Sequence, residues 1–465
     1  MSVQEAVPLT PPPTTRAPLS LVQDAWSEGF EGGFFKPGFV VSDAVRIRGE
    51  LDVDSLQGAL DDVVARHEIL RTVVVRDASP RHQAVSPPCR VPLEVRVHEV
   101  APEDDRELVV DRLQQELEQR EIPTDRPPIL RAVVDRLDPE DAVLTVISHH
   151  TACDALSLQI IFRDLAEFYR ARVEDDQPAL PPLSQYRDYV EWERSLANNA
   201  AYLADRAHWK RELDGARIFA FPTDRPVSPD SQTRYVAERF EIGPDLMPAI
   251  GALAREVRGS VFMVLLAGFN LLAHAITGQT DVVVNSQTSG RVGREFRDTV
   301  GLFLGFHPLR TNLARCRTFR DVLEQTRTVC LDSYRHPVRI EDIERDSPAL
   351  MQPLRDHGVS DTIFGFYSYP ITEAQVRFAE STHRVQLQDR DAATDMPGGI
   401  AWGMGARADD HLAGKVEYNP DEFDQSTVAR WTTWYKHILR AAVDDPDQPW
   451  EQTWLAATRH RAPRH

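Results

Sequence analysis

Ile147-Ser148-His149-His150-Thr151-Ala152-Cys153-Asp154-Ala155 joins two runs of different character. Before it, Ala142–Ser148 is rich in Val, Leu and Ile and predicts a buried strand. After it, Leu156–Ala171 carries apolar residues at helical spacing and predicts an amphipathic helix. The stretch is therefore a strand-to-helix turn, a place where a rigid scaffold displays reactive groups. Adjacent strand residues point to opposite faces. One histidine then faces a cleft and the other the interior, so the two are not equivalent. Asp154, at the helix start, is placed to cap it or to bind an arginine. The positive end of a helix disfavours imidazolium, and a neutral imidazole can take a proton from an amine or hydroxyl.

Plainer readings of the same residues carry weight. A histidine pair at a strand end is more often structural than catalytic. Two histidines and an aspartate also evoke a metal site. The adjacent rings diverge, however, and the sequence shows no obvious third ligand, so no metal is expected. Cys153 reads as a small packed side chain.

Outward from the turn, strands and helices alternate. Strands are expected at Val40–Arg48, Leu70–Val75, Leu93–Val97 and Leu130–Arg136, and helices at Val53–His67 and Asp104–Arg120. Asp52 or Asp54 is the expected cap of the first helix. Pro178–Pro182 breaks the pattern, and polar helices follow around Tyr186–Asn198 and Ala201–Leu213. The second half repeats the alternation. Strands are expected at Thr233–Ile242, Val282–Ser286, Leu302–Leu313, Thr362–Tyr369, Ala401–Arg407 and Leu412–Tyr418. Helices are expected at Pro244–Val257, Ser260–Thr277, Phe319–Tyr334 and Gln425–Val443. Two mixed α/β lobes are the natural reading. Their expected bounds are 17–182 and 231–458, with a crossover at 183–230, a Pro-rich tail at 1–16 and a basic tail at 459–465.

The chain has 465 residues, 42% hydrophobic and 27% charged, enough for a sizeable core. Its 53 Lys and Arg against 72 Asp and Glu give a net charge of -19, and the isoelectric point is near 5.3. Such a surface repels phosphate backbones and anionic bilayers, so neither nucleic acid nor membrane is an expected partner. The longest apolar run, Val261–Ala273, is shorter than the about 20 residues of a spanning helix. The N-terminus has no charged head followed by an apolar stretch, and Cys89, Cys153, Cys316 and Cys330 have no CxxC spacing. Reduced thiols in a cytoplasm are the simplest expectation.

Five further segments accompany the turn, in order. They are Ser20-Leu21-Val22-Gln23-Asp24-Ala25-Trp26, Arg66-His67-Glu68-Ile69-Leu70-Arg71-Thr72, and Tyr186-Arg187-Asp188-Tyr189-Val190-Glu191-Trp192. His208–Leu213 with Phe221-Pro222-Thr223-Asp224-Arg225-Pro226 comes next, then Val300–Arg310. Together with His149–Ala155 these resemble the S-x-x-Q-x-x-W, RHExLRT, HHxxxDG, YxDFAxW, crossover and IGxFVNTxxLR elements of the condensation domain of nonribosomal peptide synthetases. The resemblance covers nearly the whole chain.

That resemblance implies two chloramphenicol-acetyltransferase-like lobes forming a V-shaped pseudo-dimer with a tunnel between them. It implies an acyl thioester carried on the phosphopantetheine arm of a peptidyl or acyl carrier protein in trans. The acceptor would be an amine or alcohol, small or carrier-bound, and no cofactor would be held permanently. His150 is then the catalytic residue. His149 and Asp154 support it, with Arg310, or else Arg71, as the ion-pair partner of Asp154. Departures fall at Ala155, where the family has glycine, and at Gly305-Phe306-His307, where it has its asparagine. Ala155 and His307 are thus candidate tunnel contacts. Tyr334-Arg335-His336-Pro337-Val338 is the nearest match to a poorly kept HQDYPFE element. No adenylation or carrier segment is visible, so a free-standing condensation enzyme is expected. Arg315, Arg317 and Arg320 are candidates for a basic docking patch. Two alternatives stay open: a transferase using free coenzyme A thioesters, and a degenerate module that recruits a partner enzyme to a carrier.

Overall fold

Every residue of Asp141–His149 is buried, and an apolar strand covered on both faces belongs inside a sheet. It is the central strand of five in the computed structural model. The structure describes residues 14–28, 36–101, 103–118, 120–227, 234–352, 362–367, 376–384, 394–395, 399–406 and 411–452. The first half of the chain forms β1 (Thr15–Ala17), α1 (Leu21–Glu28), β2 (Val40–Arg48), α2 (Val53–Arg66), β3 (Thr72–Val75) and β4 (His82–Val85). It continues with β5 (Leu93–Val97), α3 (Arg106–Glu118), β6 (Leu130–Asp138), β7 (Asp141–His149), α4 (Ala155–Val173) and α5 (Tyr186–Ser195). The second half forms α6 (Ala200–Glu212), β8 (Arg234–Ile242), α7 (Met247–Glu256), α8 (Val261–Thr277), β9 (Asp281–Thr288), β10 (Gly305–Asn312) and α9 (Phe319–Arg335). Then come α10 (Ile340–Asp346), β11 (Thr362–Tyr367), β12 (Ser381–Arg384), β13 (Thr394–Asp395), β14 (Ile400–Ala406), β15 (Leu412–Tyr418) and α11 (Gln425–Asp444).

The chain divides into two compact units. Unit 1 comprises Met1–Arg194, Gly293–Leu302 and Ile371–Gln386; unit 2 comprises Ser195–Val292, Phe303–Pro370 and Leu387–His465. This differs from the contiguous lobes and the 183–230 crossover expected from sequence. The division falls near the end of α5, and two segments from the second half of the chain join unit 1. They do so through hydrogen bonds that spacing along the chain does not reveal.

In unit 1 the five-stranded sheet has the order β12-β2-β7-β6-β5. β2 runs antiparallel to β7 with Val40 opposite His149. Helix α3 packs Val110 and Leu113 against Ala44, Leu137 and Val143, while α2 and α4 pack on each other. Asp52 caps α2, accepting from the N–H groups of Asp54 and Ser55. A separate sheet has the order β1-β4-β3. Here Thr15 and Arg16, expected to lie in the tail, pair with Val85 and Ala84. Residues 1–13 of that tail, and the whole expected tail at 459–465, lie outside the described residues.

Unit 2 is built on a seven-stranded sheet of order β10-β9-β11-β14-β15-β8-β13. Its core helix, α8, is buried from Met263 to Ala273. Ser260 caps its start and Gly278, at φ 74°, ends it. Gly268 lets α11 approach: a Cβ there would lie 2.7 Å from Leu439 Cδ2. Phe221, Phe269, Trp402 and Tyr435 fill the space between α8, α11 and the sheet. Among the described residues no single helix is long and apolar enough to cross a membrane.

Candidate active site

β7 delivers its last residue, His149, into the interior, where the side chain is fully buried. The Thr151 backbone N–H donates to Nδ1 at 3.1 Å, so Nε2 carries the proton and donates to the Lys36 carbonyl at 2.9 Å. Burial pushes the pKa down to about 4, against the opposing pull of the Lys36 carbonyl. A neutral imidazole with both nitrogens engaged is a structural strut between the turn and Lys36.

His150 follows in the turn and is only partly buried. Its backbone N–H donates to the Phe39 carbonyl at 3.0 Å. Its ring lies 4.5 Å from that of Phe39, which in turn meets Trp26 edge-on at 5.5 Å. Nδ1 sits 3.1 Å from the Cys153 carbonyl. A carbonyl only accepts, so Nδ1 holds the proton and Nε2 the lone pair. Phe39, Lys36 and Thr151 are contributors that the sequence reading missed. The signal for Phe39 is the β2–β7 register, which places the residue before Val40 beside the residue after His149.

Asp154 opens α4. Its carboxylate accepts the Ser157 N–H at 2.8 Å, an N-cap bond. Ala155 is the first helical residue and is exposed; that conformation suits any L residue. One turn on, the Ser157 hydroxyl donates to the Gly301 carbonyl at 2.9 Å and accepts from the Gly301 N–H at 3.0 Å. Gly301 must be glycine, because a Cβ would lie 2.1 Å from the Tyr186 ring. The Tyr186 hydroxyl reaches the Leu302 carbonyl at 2.7 Å and Ser20 Oγ at 2.9 Å. Ser20 and Gln23 form a reciprocal capping box at the start of α1.

A second set of bonds fixes the middle of α4. Asp164 is fully buried and lies 2.9 Å from both His67 Nε2 and Arg66 Nε, with Arg163 on its other oxygen. Burial alone would raise its pKa, but these donors hold the carboxyl below its ordinary range. The motif segments of unit 1 thus converge on α4 and on the turn before it.

Each of the two arginines proposed as partners of Asp154 makes bonds within its own unit. Arg310 bonds Asp281 at 2.8 Å and the carbonyls of Glu212 and Asp214. Asn312 faces Asp281 across β10 and β9, and Arg310 is its same-face neighbour two residues back. The short diagonal wins the ion pair. Arg71 donates to the carbonyls of Val64, Ala65 and Ser86, satisfying the open end of α2. His307, named as a candidate tunnel contact, makes packing contacts within unit 2. Its Nδ1 lies 2.5 Å from Ser333 Oγ and its ring 6.0 Å from that of Trp209. Burial, helped by the Arg339 charge, brings its pKa down to about 4. Of the expected basic patch, Arg320 is engaged with Asp447 and Glu256.

Comparison with known proteins places this geometry. Residues 32–462 match the Condensation domain family model. SgcC5 from Streptomyces globisporus, solved with an aryl ethanediol and sucrose, is 32% identical over 93% of this chain and 100% of its own, with TM-score 0.86. A linear gramicidin synthase protein of Brevibacillus parabrevis is 28% identical over 90% of this chain, a match that spans 5% of its own length. Two further linear gramicidin synthase proteins of that organism match over 8% of theirs. The first condensation domain of the calcium-dependent antibiotic synthetase shares the fold, at TM-score 0.78 and 21% identity over 94% of this chain and 99% of its own. The chain therefore belongs to the condensation-domain family of nonribosomal peptide synthetases, acyltransferases of natural-product biosynthesis.

Proposed function

We propose that His150 is the catalytic base of a carrier-dependent acyl transfer. The observation that carries this reading is the bond from His150 Nδ1 to the Cys153 carbonyl, which fixes the tautomer with its lone pair on Nε2. An amine or hydroxyl hydrogen-bonded to Nε2 attacks the thioester carbonyl while Nε2 takes its proton. The tetrahedral intermediate then collapses, the C–S bond breaks, and the departing thiolate receives that proton from the imidazolium. His149 and Asp154 hold the turn and touch no reactant.

The donor in this reading is an acyl thioester on the phosphopantetheine arm of a carrier protein meeting the chain in trans, with no permanently held cofactor. Full-length similarity to SgcC5 supports action as a separate enzyme. The aryl ethanediol in that complex supports a hydroxyl acceptor and an ester product. The unbridged state of all four cysteines supports a reducing, cytoplasmic setting.

The test is mass spectrometry of an acyl-loaded carrier incubated with an aryl ethanediol or the matching amino alcohol. Folded His150→Ala is expected to form product about 100- to 10,000-fold more slowly. Equal product from both proteins would remove His150 from the mechanism. Equal rates from acyl-coenzyme A and acyl-carrier would replace the carrier reading with the free-thioester one.

A further inference from the structure

In unit 2, two histidines and two aspartates meet on one side of α6 and the end of α9. His208 Nε2 lies 2.7 Å from Asp332 Oδ2. His336, just after α9, places Nε2 3.8 Å from Asp332 Oδ1. The ligand atoms of His208, Asp332 and His336 all lie within 4.8 Å of one another. We propose that these three side chains form a zinc(II) site that ties α6 to the C-terminal end of α9.

Four features support the assignment. First, His336 Nδ1 lies 2.7 Å from Asp205 Oδ1. A carboxylate there keeps the proton on Nδ1 and turns the Nε2 lone pair toward Asp332, the second-sphere arrangement usual for metal-binding histidines. Second, the His336 backbone is fixed, its carbonyl accepting the Trp209 indole N–H at 2.7 Å. The ligand is thus held in place before any ion arrives. Third, the spacing fits. Tetrahedral zinc with bonds of about 2.1 Å separates its ligand atoms by about 3.4 Å. The observed 2.7 and 3.8 Å bracket that value, and the third pair of ligand atoms lies within 4.8 Å. The two imidazoles, stacked with centroids 3.9 Å apart, then rotate out of parallel. Fourth, the cluster brings two carboxylates together, whose negative charge a divalent cation offsets, and a His₂Asp set suits zinc. The three ligands are partly buried, which leaves an open fourth position for water.

The site cross-links α6 to the end of α9 and is separate from His150. The test uses untagged full-length protein freed of metal by chelation. Calorimetric titration with zinc(II) is expected to show one equivalent bound, with a rise in melting temperature that chelator reverses. Cobalt(II) in its place is expected to give the visible absorption of a four-coordinate nitrogen and oxygen site. Asp205→Asn, which removes no ligand, is expected to weaken zinc about 10- to 100-fold. Asp332→Asn and His208→Gln, with circular dichroism confirming the fold, are expected to abolish the stoichiometric site. Wild-type protein taking up less than one equivalent would overturn the proposal. So would a folded His208→Gln/His336→Gln chain that binds zinc as tightly as wild type.

Discussion

His149 donates from Nε2 and accepts at Nδ1, whereas His150 donates from Nδ1. Neighbours in sequence therefore hold opposite tautomers, each set by one backbone carbonyl. The pH dependence of stability follows from the buried member. Its folded pKa of about 4 lies below the ordinary 6.5. Between those values the unfolded chain binds a proton that the folded chain refuses. The stabilising contribution is complete above pH 6.5 and is lost as pH falls toward 4. The slope reaches about 1.4 kcal/mol per pH unit for this group. Urea unfolding of wild type and His149→Asn across that range should show a steeper fall for wild type. Parallel curves would contradict the buried neutral ring. Asp154 supplies a different test. Loss of its cap in Asp154→Ala should cost about 1 kcal/mol, and Asp154→Asn should recover most of it. A folded Asp154→Ala chain with unchanged stability would refute the cap. The two histidines were legible because strand alternation forces neighbours apart. The partners of Arg310 were not, because an ion pair follows strand register, which spacing along one chain does not reveal.

The elements come from periodicity, and their ends from local chemistry. β2, β5 and β15 run over the residues that alternation marks, while Leu70–Val75 loses its first two residues to the short 3₁₀ turn Glu68–Arg71. That turn lets Arg71 fold back onto the last carbonyls of α2. The short strands β1, β4 and β12 and the helix α10 escaped the reading because three to seven residues carry too little pattern. α1 was within reach, since Ser20 and Gln23 are spaced as a capping box. The sharpest packing demand at this scale is at Gly301. Gly301→Ala drives a methyl into the Tyr186 ring and disturbs both bonds to Ser157 at the head of α4. A loss of about 1–3 kcal/mol is expected in chemical denaturation, with acyl transfer falling because the turn behind His150 shifts. An unstrained, fully active variant would show that α4 does not depend on this glycine.

For the molecule as a whole, charge and burial act together. With a net charge of -19 at pH 7 the chain repels its own copies. Near its isoelectric point of about 5.3 that repulsion vanishes. The same interval is where His149 and His307 begin to favour the unfolded chain. Turbidity is therefore expected to peak near pH 5.3, and high salt should not restore clarity if unfolding contributes. A clear solution at that pH would show that surface charge is distributed to prevent association.

The borrowing of Gly293–Leu302 and Ile371–Gln386 by unit 1 sets a timetable for biosynthesis. A nascent chain that has emerged only to Arg194 lacks the strand that pairs with β2 and the glycine that braces Ser157. An unpaired β2 edge invites strand addition from other chains. Completion of the half that bears His150 must wait until most of the polypeptide has left the ribosome. A gene truncated after Arg194 should accordingly yield inclusion bodies, and supplying the remaining residues as a separate chain should rescue it poorly.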